Sequence, residues 1–125
     1  MLKKILPLLF LPLLLVGCSA TFTNLTPKQQ IATPNNLYPV EVAFNSRQQS
    51  LRWDSIHPQI VVGTEFIPMR PTPLMNNRWE GLIAVPPGTT VIHYHYKFDY
   101  LNNAFGPHEP DSASSPEYTL RILPQ

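Results

Sequence analysis

Proline governs what this chain can become. The 125 residues include 15 prolines, and each fixes φ near −65° and removes a backbone donor. Two of them, Pro7 and Pro12, fall in the first 17 residues. The other 13 are spaced so that, beyond the N-terminal stretch, only residues 40–57 and 88–106 run long without one. Helices of ordinary length have almost nowhere to form. Short extended segments divided by turns do fit this spacing.

Those segments can be read off directly. Val91 to Tyr100 places Ile92, Tyr94, Tyr96, Phe98 and Tyr100 on one face and Val91, His93, His95, Lys97 and Asp99 on the other. Such alternation marks a half-buried strand. Leu37 to Asn45 likewise aligns Tyr38, Val40, Val42 and Phe44, and Pro39 suits the beginning of an edge strand. Shorter strands are expected around Leu51 and Trp53, over Gln59 to Val62 and over Glu65 to Ile67. Arg78 to Val85 alternates poorly, which suggests a bulge near Gly81. Tyr118 to Leu123 is a plausible closing strand. Pro86-Pro87-Gly88-Thr89 reads as a turn, with Pro87 presetting φ and Gly88 free to take φ > 0. Pro68 to Asn77 and Asn102 to Pro116 read as loops. The expected fold is all-β: an Ig-like, early-set-like β-sandwich of about seven strands over residues 37–125.

The N-terminus carries a different message. Lys3 and Lys4 precede the uncharged, apolar run Ile5 to Val16, the layout of a secretion signal. At 1.5 Å per residue this run would reach roughly 18 Å, short of a ~30 Å hydrocarbon core. It ends in Leu15-Val16-Gly17-Cys18, which resembles the lipobox of bacterial lipoproteins. The resemblance implies a signal peptide over 1–17, cleavage between Gly17 and Cys18, and diacylglycerol on the Cys18 thiol, usually with acylation of the new amine. Two or more acyl chains anchor a protein stably where one does not. The implied partner is thus the lipid bilayer, reached through acylated Cys18. Ser19 after the cysteine favours the outer membrane of a Gram-negative source; otherwise the expected location is the cell membrane. Residues 18–36, polar and rich in Thr, Asn, Gln and Pro, are expected to be a lipidated N-terminus and flexible tether.

Composition narrows the function classes. Without Lys3 and Lys4, seven basic residues face eight acidic ones, a net charge of −1. A nucleic-acid binder would show a basic stripe, so nucleic acid is not an expected partner. Cys18 is the only cysteine, which leaves no disulfide, thiol nucleophile or cysteine-based zinc site once it is lipidated. No Gly-x-Ser-x-Gly, His-Glu-x-x-His or phosphate-cradling glycine loop is present. Catalysis is not expected, and no cofactor is implied.

Asn76-Asn77-Arg78-Trp79-Glu80-Gly81-Leu82, Pro86-Pro87-Gly88 and Tyr96-Lys97-Phe98-Asp99 together resemble the early-set Ig-like domains. That group includes the glycogen-binding modules of AMP-activated kinase β-subunits and of branching enzymes. The resemblance covers about 25 residues. It implies a sandwich, and a sugar platform of tryptophans and a lysine. Lys97 matches the lysine. Phe105 is the aromatic nearest to one tryptophan position, so Lys97 and Phe105 are the candidate ligand contacts. Pro71 and Pro73 occupy the loop where the family carries its other tryptophan.

Three further features are candidate sites. His93 and His95 share a strand face roughly 7 Å apart; they could hold a metal if His57, His108 or Glu109 converged on them, or simply be a solvated row with Lys97 and Asp99. Trp53 and Trp79 read as core residues rather than ligand platforms. The Met69, Arg70, Pro71, Pro73, Leu74 and Met75 stretch is a stiff, partly apolar loop able to dock a partner with little loss of entropy, or to fold back on its own sandwich. The expected function is a membrane-anchored, non-catalytic interaction module of the cell envelope. Its partner would be an envelope protein or a glycan. The alternatives are a glycan-binding module and a small metal-binding or catalytic protein using His93 and His95.

Overall fold

The computed structural model describes residues 20–46, 51–102 and 109–125. They form two packed β-sheets, a β-sandwich. The strands are β1 (Ala20–Asn24), β2 (Gln29–Ile31), β3 (Leu37–Ser46), β4 (His57–Val62), β5 (Glu65–Pro68), β6 (Arg70–Pro71), β7 (Arg78–Ala84), β8 (Val91–Asn102), β9 (Glu109–Ser114) and β10 (Tyr118–Leu123), with one 3-10 turn at Trp53–Ser55. One sheet has the order β1-β3-β7-β6 and the other β2-β10-β8-β4-β5, with β9 also on β8.

β8 organises the second sheet because it is long and strictly alternating. It pairs with β4 on one side and on the other first with β10, over Val91 to Tyr94, then with β9, over Lys97 to Asn102. Between these two partners, Tyr96 and Ser115 exchange bonds: Ser115 N–H to Tyr96 O at 2.9 Å, and Tyr96 N–H to Ser115 Oγ at 2.8 Å. The apolar face of β8 meets that of β3, with the Phe44 and Phe98 rings 4.9 Å apart. Tyr38, Val40, Ile60, Ile83, Tyr94 and Leu120 complete a continuous buried core. The 86–89 turn forms as its residues dictate, with Gly88 at φ 89° and Thr89 N–H bonded to Pro86 O at 3.1 Å.

Several sequence expectations need correction. First, residues 20–31 are not a flexible tether but supply a strand to each sheet. β1 pairs with β3 from Ala20↔Ser46 to Asn24↔Val42, and β2 runs parallel to β10. Phe22 packs against Phe44 and Phe98 at 5.0 and 5.2 Å. Second, Arg70–Pro71 and Glu109–Ser114 are strands within expected loops, and Trp53–Ser55, expected in a strand, is a 3-10 turn, so the described part of residues 37–125 carries eight strands where about seven were expected. Third, β7 has no bulge: its register with β3 is unbroken from Leu37↔Ala84 to Ala43↔Arg78. Its pattern looks irregular because an inward position is Gly81, where a Cβ would lie 2.9 Å from Ile60 Cδ1. Fourth, Trp79 is buried but Trp53 is 44% exposed, its ring stacked on Trp79 at 6.4 Å.

Pro39 does not sit on an edge strand, since β3 lies between β1 and β7. It is tolerated because β1 ends opposite Val42 and does not cover that part of β3. Its carbonyl is instead bonded by Gln30 Nε2 at 3.0 Å.

Candidate functional site

The 68–77 stretch divides into two halves with opposite fates. Met69 is buried, and its Cγ comes within 3.5 Å of where a Gly81 Cβ would be. The missing side chain at Gly81 is thus filled by Met69 and Ile60. Arg70 and Pro71 form β6 and pair with Glu80 and Trp79, with Arg70 and Glu80 also joined by an ion pair at 2.9 Å. Beyond Thr72 the chain turns outward. Pro73 is exposed, Leu74 fully so, and Met75 is 39% exposed. Leu74 holds φ at 66°, in the left-handed region that L side chains rarely adopt.

A cleft of about 850 Å³ opens beside the packed half. Leu25, Pro39, Ile67, Met69 and Leu82 give it apolar walls, and Glu41, Glu80 and Arg70 give it charge. Leu82 is half exposed there. Glu41 accepts a bond from Thr72 Oγ1 at 3.3 Å, and Glu80 is held by Arg70. Fixed carboxylates on an apolar surface suit a ligand that has both an apolar stretch and a donor.

The outer face of the second sheet carries the other predicted contacts. Lys97 lies 3.2 Å from Asp99 and 5.9 Å from the centroid of the exposed Phe66 ring. Gln59 stands opposite Lys97, and its Oε1 is buried without a hydrogen-bond partner. His93 Nδ1 is 3.0 Å from Thr119 Oγ1, on the neighbouring strand. His95 faces Val61, whereas His57 faces Asp99, roughly 13 Å further along by strand rise. His57 therefore does not converge with His93 and His95. Among the described residues, no group of three or more His, Cys, Asp or Glu is placed to hold a metal. A second cleft of about 550 Å³ gathers Ser55, His57, Asp99 and Asp111.

A buried polar lock lies between the sheets. The Tyr96 hydroxyl donates to Asn24 Oδ1 at 2.6 Å and lies 3.2 Å from Thr26 Oγ1. Asn24 Nδ2 donates to Tyr94 OH at 3.0 Å. Glu41 N–H bonds Thr26 Oγ1 at 2.9 Å. Burial pushes the Tyr96 phenol well above its ordinary value, against the opposing effect of the Thr26 bond. Desolvation also raises Tyr100 and Tyr118. These phenols stay neutral at ordinary pH, and the Tyr96 hydroxyl acts as a hydrogen-bonding strut between the sheets.

Sequence reasoning named Lys97 and the Leu74–Met75 tip as candidates and did not name Phe66, Asn24 or Thr26. Phe66 is a lone aromatic in a short strand, and Asn24 and Thr26 sit in a polar stretch without period. Gly17, Cys18, Phe105 and His108 lie outside the described residues. No protein-family model matches the chain, and no curated protein is similar to it in sequence.

Proposed function

We propose that this is a lipid-anchored lipoprotein of the cell envelope whose Ig-like sandwich acts as a non-catalytic interaction module. The lipobox-like Leu15-Val16-Gly17-Cys18 supports the anchor, with signal cleavage before Cys18 and an outer-membrane location if the source is Gram-negative. The Ig-like reading is supported by strand order. With β1 and β2 counted as one interrupted strand, and β9 and β10 as another, the neighbours run A-B-E-D in one sheet and A′-G-F-C-C′ in the other.

The observation that carries the interaction role is the cleft between Pro39, Met69 and Leu82, with Glu41 and Glu80 in its wall. An apolar concavity with a few fixed polar groups is the usual form of a recognition site. The occupant we favour is a segment of an envelope protein, with apolar side chains against Leu82 and Pro39 and a cationic group toward Glu41. A photo-cross-linker placed at Leu82 in the membrane-anchored protein should capture that protein, while one at Thr119 should not. Equal yields at the two sites, or no adduct at Leu82, would count against the reading.

A second reading, glycan binding, is favoured by the Phe66 ring beside Lys97 and Asp99. There an aromatic face and paired polar groups stand on one exposed sheet. Phe66→Ala should abolish retention on polysaccharide columns; a wild-type protein that is never retained removes this reading.

A further inference from the structure

The end of the sandwich nearest Cys18 is identifiable from the strand directions. β1 opens at Ala20, opposite Ser46 at the close of β3. β7 begins at Arg78, opposite Ala43, so the hairpin tip between β6 and β7 projects from this same end. Trp53 belongs there too, 6.0 Å from Phe44 and stacked on Trp79. Trp53, Leu74 and Met75 are among the exposed large apolar side chains of the described residues, and all three are gathered at the end where the chain leads back to Cys18.

The distance to the anchor is short. Only Ser19 separates Cys18 from Ala20, so the two Cα atoms lie at most about 7 Å apart. With β1 already locked into the sheet, little chain remains to hold the domain off the bilayer. β6 lies three strand spacings from β1, roughly 14 Å. The Leu74–Met75 tip therefore stands on the opposite side of the same end from the anchor.

We propose that Trp53, Leu74 and Met75 form a membrane-docking surface that seats the sandwich on the bilayer holding the Cys18 lipid. This rests on the lipoprotein reading above. Tryptophan favours the headgroup level, where its ring is buried and its N–H stays hydrated. Leu74 and Met75 supply purely apolar contact. Arg52 and Asp54 beside Trp53 form an ion pair at 3.1 Å and together add no net charge next to the ring, so the Trp53, Leu74 and Met75 contact does not depend on anionic headgroups. Two footholds, the lipid under β1 and the hairpin tip beyond β6, fix the tilt of the domain and keep the Leu82 cleft facing away from the lipid.

The test uses the full chain, purified from bacterial membranes and weighed intact. It is reconstituted in phosphatidylethanolamine–phosphatidylglycerol vesicles containing lipid brominated near the headgroup end of the acyl chains. Tryptophan emission should fall relative to unbrominated vesicles. Trp53→Phe, which leaves Trp79 as the emitter, should remove that loss. The Leu74→Glu, Met75→Glu pair should reduce it and keeps the proposal testable if Trp53→Phe fails to fold. In phosphatidylcholine vesicles the loss should persist. A protein whose mass includes the diacylglycerol but whose emission is unchanged by bromine overturns the docking surface and leaves the lipoprotein reading intact. A mass with unmodified Cys18 overturns both.

Discussion

Residues 20–36 and residues 68–77 look alike in composition: mixed polar and apolar, punctuated by proline, and without strong period. The first stretch threads both sheets, and the second is half core and half projection. What separates them is what each finds across the sandwich. Phe22 meets Phe44 and Phe98, while Asn24 and Thr26 meet buried hydroxyls. Met69 meets the space left by Gly81. Leu74 meets nothing on its own chain and is fully exposed. Local polarity therefore says little about order when the partners are distant in sequence.

The comparison breaks most severely at Met69. If this half of the stretch belongs to the core, Met69→Ala should destabilise by about 2–5 kcal/mol, read by chemical denaturation. A cost as small as that of an exposed substitution would place Met69 with the tip instead.

Asn24 sharpens the other side. Asn24→Ala leaves the Tyr94 and Tyr96 hydroxyls short of partners, which should cost about 1–3 kcal/mol. A true tether would show no loss. The lock also has a pH signature. The Tyr96 phenol is raised in the folded protein by burial, so its contribution to stability is complete below the unfolded phenol value near 10. Above that pH the unfolded chain releases its proton and the folded chain does not, and stability falls. Urea titrations at rising alkaline pH should show this decline; a flat profile past pH ~11 would deny Tyr96 its buried role.

How much of this could be read in the sequence follows the same division. β8 was legible because one of its faces is buried and the other is not, so its side chains alternate over Val91 to Tyr100. The Pro87–Gly88 turn was legible because its chemistry is local. β9, with the sequence Glu-Pro-Asp-Ser-Ala-Ser, was not: it joins the sheet mainly through its backbone, and backbone pairing leaves no apolar period. β2 was hidden for the same reason, and β1 because its inward positions Ala20, Phe22 and Asn24 include one large apolar residue. Gly81 concealed the period of β7 by replacing an inward side chain with close contact to Ile60. Of the candidate sites, Leu74 and Met75 stood out as apolar residues among prolines. Trp53 was read as core, because stacking on Trp79 and exposure to solvent are compatible only in three dimensions.

Leu74 offers the smallest change and the sharpest discrimination. Its left-handed backbone at φ 66° costs an L-residue roughly 1–2 kcal/mol, which glycine does not pay. Since Leu74 has no side-chain burial to lose, Leu74→Gly should stabilise the protein, by roughly 1 kcal/mol once the greater freedom of the unfolded glycine chain is subtracted. An exposed leucine held in that strained backbone points to a use outside the fold, and stabilising changes at functional positions tend to reduce function. The same variant should lose part of the bromolipid quenching of Trp53 in vesicles. Greater stability with undiminished quenching would make Leu74 an ordinary exposed leucine and leave Trp53 and Met75 as the apolar contact. A loss of stability would mean instead that the tip packs against its own domain, and the contrast between the two halves of the stretch would disappear.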